Sequence, residues 1–241
     1  RIAPSFQLYE VRHALHKHIL EPIDRTPEED LVRTILKDRG VDLPNSTTDQ
    51  ILALVHNTAF GHPALAKKTT HYIVEHYVEE QRLEALTDQP SSKATLCENV
   101  VDPYVRDHVL SGMDRTWTEA LPWLTVLNWF DITVLKAYLR QQVPALVEGK
   151  EDHFFLRALT ELRQRERVAW KTGVGYQVEG VFGRILRNCL IVRHPDEYRE
   201  ACAAAAATFE AIAGTFENDA EMAEPYLKEA RSYRRRAAAS S

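Results

Sequence analysis

What most constrains the fold of this sequence is a helix-start signal that recurs along it, followed each time by apolar residues at steps of three and four. In Thr26-Pro27-Glu28-Glu29, Thr26 is placed to cap and Glu29 to return a bond to the cap amide. Pro27 suits the first helical position, where its missing N–H would be unbonded in any case. Leu31, Val32, Ile35 and Leu36 then fall on one face, and Gly40 closes the segment. Thr47-Thr48-Asp49-Gln50 and Thr116 to Glu119 repeat the capping pattern, and Asp131 suits the cap of the helix after it. Period-two strand patterns hardly occur, so the sequence predicts an all-α chain.

Read in order, the apolar spacing predicts about ten helices joined by short loops. An amphipathic segment runs from Phe6 to Ile19, and a long helix from Pro63 to about Leu86. Pro103 divides the stretch before Gly112 into two short helices. A charged helix from Glu151 to Lys171 is stopped by Gly173-Val174-Gly175, and an apolar one runs from about Tyr176 to Val192. In the last third Tyr198, Cys202, Ala205, Phe209, Ile212 and Phe216 alternate steps of four and three, the seam of two closely packed helices. Met222, Tyr226, Ala230 and Tyr233 step the same way, so an antiparallel helical hairpin is expected at the C-terminal end. A single helical domain over 1–241 is expected, with sub-layers 1–112, 113–193 and 194–241.

Composition narrows the classes of function. An apolar fraction of 44% and a charged fraction of 27% are ordinary globular usage. A net charge of −5 argues against a nucleic-acid partner, which would call for a basic excess. The richest apolar stretch, Leu121 to Leu139, is broken by Pro122, Asn128, Asp131 and Lys136, so no membrane span is expected, though peripheral contact is compatible. Cys97, Cys189 and Cys202 lack zinc-type spacing and suit an intracellular reducing compartment, cytoplasmic or mitochondrial. The first residue, Arg1, is compatible with a cleaved organellar presequence.

Histidines paired with carboxylates are the main candidates for chemistry. Glu10, His13 and His16 share one face of the first segment, and His71 and Glu75 stand one helical turn apart; either set offers metal ligands. His56, His62 and His108 are further donors if the fold gathers them. A tight site needs more ligands than one helix supplies, so no metal and no other cofactor is expected. Trp117, Trp123, Trp129, Phe130 and Tyr138 are expected in the core, and Gly180 and Gly183 at a close helix contact. The expected role is a structural or accessory subunit that docks as a helical body among other protein subunits, its interaction surface the seam from Tyr198 to Phe216. The alternative is a helical enzyme or small-molecule binder with a histidine/carboxylate metal or haem pocket.

Overall fold

The computed structural model describes residues 25–87, 89–178, 180–216 and 219–239. It is a helix-dominated, all-α multi-helix protein whose described strands form one small two-stranded sheet. The chain divides between Val109 and Leu110 into two compact units.

In the first unit, α1 (Arg25–Asp38), α2 (Asn45–Ala59) and α3 (Pro63–Ile73) pack on one another. Their apolar stripes meet in a core that includes Val32, Ile51, Leu54, Leu65 and Ile73. As the sequence predicts, Gly40 ends α1: its φ is +67°, and Gly40 N–H donates to the Lys37 carbonyl. The start of α2 differs from expectation. The helix begins ahead of Thr47, with Pro44 as its cap residue, and Thr48 turns its hydroxyl back to the Pro44 carbonyl. The expected long helix ends early, because α3 passes into a π turn at Val74–Val78 and the chain then breaks. Gln81 there takes a φ of +58° ahead of a 3₁₀ turn, Leu83–Thr87.

Pro103 does not divide its stretch into two helices. The run from α4 (Gln89–Leu96) continues through a π segment (Cys97–Val101), one α turn (Asp102–Tyr104) and a second π segment (Val105–Val109). A proline ring inside an α-helix strikes the carbonyl four residues back. The π segment just before it adds a residue to the turn and moves that carbonyl away.

In the second unit, α5 (Arg115–Leu124) is capped not by Thr116 but by Asp114, whose carboxylate accepts the Thr116 N–H at 2.8 Å. Asp131 caps α6 (Ile132–Gln142) as expected, accepting the Val134 N–H at 2.8 Å. After the short α7 (Pro144–Val147), α8 (Asp152–Gln164) ends well before Lys171. The chain then forms an antiparallel hairpin, β1 (Val168–Lys171) and β2 (Gly175–Val178), where helix was expected. Next comes α9 (Gly180–Arg193). Gly183 lies under the Val178 carbonyl, which an added Cβ would meet at 3.1 Å.

α10 (Pro195–Gly214) and α11 (Ala220–Ala239) form the expected antiparallel pair. Tyr198, Cys202, Ala205, Phe209 and Ile212 are buried, and Phe216 is half-buried against Tyr226. Met222, expected on the facing stripe, is instead exposed. The arginines at the end of α11 tie it down: Arg234 pairs with Glu210, and Arg236 donates to Asn128 Oδ1 at 2.6 Å.

The aromatic residues of this pair and of the tryptophan segment make one core. Phe209 lies edge-on to Trp129 and beside Tyr226 and Tyr233. Tyr226 donates its hydroxyl to Asp131 Oδ2 at 2.9 Å, and the Tyr233 oxygen accepts the Asn128 N–H. Burial, then the Asp131 carboxylate, pushes the Tyr226 phenol up to about 12; burial pushes Tyr138 and Tyr233 up as well. An unfolded chain loses these protons near pH ~10. The stability they contribute is therefore whole below that pH and is lost as pH rises through the folded value of about 12. The urea midpoint should fall steeply between about pH 10 and 12, in step with tyrosinate absorbance. Tyr226→Phe should flatten part of that fall, and an unchanged profile in that variant would contradict the assignment.

Candidate functional site

Two sets of histidines and carboxylates are the candidate metal ligands of the sequence. Glu10, His13 and His16 lie outside the described residues. His71 and Glu75 do share a face of the helix, but Arg39 from the end of α1 occupies it. Its guanidinium donates to Glu75 Oε1 at 3.0 Å and approaches His71 Nδ1 at 3.5 Å. A cation is thus already seated where a metal would have to sit, which is the physical reason to set that pair aside. His62 is buried and caps α3, its Nδ1 accepting the Leu65 N–H at 3.3 Å. Burial pulls its pKa down, which suits the neutral ring this bond requires. His108 packs on Tyr104. Among the described residues no three histidine, cysteine or acidic side chains could hold a metal ion. The three cysteines are buried and form no disulfide among the described residues.

One histidine–carboxylate pair was missed by the spacing argument. Glu28 is only 2% exposed and its Oε2 lies 2.5 Å from His56 Nδ1. The pair lines a recess of about 230 Å³ with Glu29, Leu52, Ala53 and Asn57. The signal was present in the sequence: Glu28, Val32, Ile35 and Leu36 share the buried stripe of α1, so the carboxylate had to point inward. Its partner, a whole helix away, was not visible.

The more developed surface belongs to the second unit. Phe130 and Tyr176 exchange two N–H···O bonds of 2.7 Å, an isolated antiparallel bridge on the edge of β2. The chain order is α5, the Phe130 bridge, α6, the short α7, α8 and the β1–β2 hairpin, with Phe130 against β2 on the side away from β1.

Three of the large apolar side chains that stay exposed are on α8 and the hairpin: Leu156 at 53%, Trp170 at 57% and Val174 at 37%. Trp170 rests its edge on Tyr176, which continues the stack to Phe130. The start of α8 is acidic. Glu151 and Asp152 open it, with His153 beside Glu151 and Lys136 bonded to Asp152. That lysine bond holds the Asp152 carboxyl below its ordinary range, so it is ionised at neutral pH.

On the other face of the hairpin lies a cleft of about 650 Å³ between the Trp129 segment, the hairpin, α9 and α11. Its charged lining is Lys171, Arg184, Arg187, Lys228 and Glu229. Comparison with protein-family models, with curated proteins and with solved structures gave no match. The geometry of these surfaces therefore carries the functional reading by itself.

The six residues expected to form an interaction seam are placed by the structure in contact within the chain. Phe209 touches Trp129, Tyr226 and Tyr233, and Tyr198 and Cys202 share a cluster with Val126 and Leu190. Five of the six are buried within the chain, and Phe216 is half-buried. No described helix is long and apolar enough to cross a membrane.

Proposed function

We propose that this chain works by docking to other proteins, through α8 and the β1–β2 hairpin of its second unit rather than through the seam of its last two helices. The observation that carries this reading is the pairing of an acidic helix start with exposed Leu156 and Trp170. The order of α5, α6, α8 and the hairpin resembles that of a winged helix-turn-helix, which in reading duplex DNA sets the first turn of its second helix against the major groove, flanked by phosphates. Glu151 and Asp152 would meet those phosphates with like charge. An exposed tryptophan held by a neighbouring aromatic ring is instead the type of side chain that dominates protein interfaces. Exposed apolar area of this kind is costly unless a partner covers it.

A photo-crosslinking residue placed at position 170, or at 156, tests this in the cells the protein comes from. The expected result is a covalent adduct with one protein. Reconstituted with that protein, Trp170→Ala should weaken binding by about 30-fold or more, the loss typical of a buried interfacial tryptophan. Adducts with nucleic acid, or micromolar duplex binding that collapses with salt, would overturn the reading.

A further inference from the structure

The cleft behind the hairpin is a second surface, independent of the docking reading. Successive residues of a strand point to opposite faces, so Lys171 lies on the face opposite Trp170. The cleft is lined by four cationic side chains, Lys171, Arg184, Arg187 and Lys228, against one carboxylate, Glu229. That carboxylate is already engaged, with Oε2 accepting from Asn128 Nδ2 at 2.7 Å. Arg187 is half-buried and donates through Nε to the neutral Thr125 carbonyl. Burial and then the neighbouring Arg236 both disfavour its charge. Arg236 in turn donates to the neutral oxygens of Val126 and Asn128. Lys171 and Lys228 reach the cleft from exposed positions on β1 and α11 and form no ion pair among the described residues.

Arg187 and the two lysines repel one another across the recess, and Glu229, the carboxylate among its described lining residues, is already engaged. An anion entering the cleft removes that repulsion. The guanidinium presents a planar fork and the two lysines mobile point charges, the combination that suits phosphate oxygens. Leu127, Val174, Val178 and Pro225 add apolar wall, so the recess also accommodates the organic part of a phosphate ester. A volume of about 650 Å³ matches a small molecule. We infer that the cleft formed by Lys171, Arg187 and Lys228 binds a small, multiply charged phosphate compound.

Inorganic tripolyphosphate is the probe, titrated calorimetrically into the purified chain at physiological salt. Saturable binding of one equivalent is expected, with a Kd at or below about 1 mM. Lys171→Glu combined with Lys228→Glu should weaken it by about tenfold or more, with the helical spectrum and urea midpoint unchanged because both residues are exposed. Arg187→Met should act in the same direction. Should that variant fail to fold, the lysine pair still decides the matter. Arg163→Glu, which reverses a cation on α8 outside the cleft lining, should leave binding as it is. Absence of saturable binding overturns the inference, as does equal weakening by Arg163→Glu, which would mark diffuse attraction to surface charge. Tighter binding of a DNA duplex through the same two lysines would overturn it too, in favour of a nucleic-acid groove.

Discussion

Phe209→Ala is expected to destabilise the second unit by about 3–5 kcal/mol, the range for emptying a buried phenylalanine site. Phe209 is fully buried, and its ring centroid lies 5.1 Å from Trp129, 5.4 Å from Tyr233 and 6.0 Å from Tyr226. Those neighbours are pinned and cannot collapse into the space. Tyr226 is held by Asp131, Tyr233 by the Asn128 amide, and Trp129 belongs to the segment that pairs with β2 through Phe130. The loss is therefore the transfer free energy of the ring plus an unrelaxed cavity. All four tryptophans, Trp117, Trp123, Trp129 and Trp170, lie beyond Val109, so their fluorescence during urea unfolding reports on this unit alone. A loss below about 1 kcal/mol, the scale of a surface substitution, would mean that α10 and α11 do not close over Trp129 as described.

The same contacts show which parts of the structure the sequence made legible. The α10–α11 pair was readable because its seam is local in pattern: Tyr198 to Ile212 repeat at helical steps, and the complementary stripe follows a short turn later. Position within the stripe was less secure. Met222 fits the repeat but stays exposed, and its neighbour Ala223 is the residue of that turn that is buried. The cap of α5 was misassigned by two residues for a related reason: Asp114 and Thr116 are both good caps, and only the backbone decides which oxygen meets the free amide.

The hairpin was missed although its signal was there. Val168 to Lys171 and Gly175 to Val178 are two four-residue runs around a three-residue turn containing Gly173. Strands of that length carry too few residues for a period of two to stand out against the helical spacing that leads into them. Phe130 bridges to Tyr176 from far along the chain and has no local pattern at all. Missing these strands hid both candidate surfaces of the second unit. The histidine sites failed in the same way. Spacing can place His71 and Glu75 on one face, but Arg39 reaches them from another helix, and Glu28 meets His56 by the same kind of long-range contact.

Gly175→Ala should cost on the order of 1–3 kcal/mol and should loosen the hairpin specifically. Gly175 has a φ of +149°, a conformation side chains rarely adopt. An added Cβ would stand 2.8 Å from the Phe130 carbonyl oxygen and 3.2 Å from Trp129 Cε3. The nearest obstacle is backbone, which cannot rotate away as a side-chain tip can. It is also the carbonyl that accepts the Tyr176 N–H, so relief of the clash must stretch the pairing that joins Phe130 to the sheet. Gly173→Ala is the matched control, because Gly173 has a φ of +74° in the turn and an added Cβ there meets nothing within 4 Å. Its cost should stay near the 1–2 kcal/mol set by a left-handed backbone alone, roughly. Near-ultraviolet circular dichroism should separate the two variants, since Trp170 is ordered by its edge contact with Tyr176. In Gly175→Ala that signal should fall, together with whatever binding depends on Trp170. If Gly175→Ala proves no less stable than Gly173→Ala, Phe130 does not approach β2 at this register.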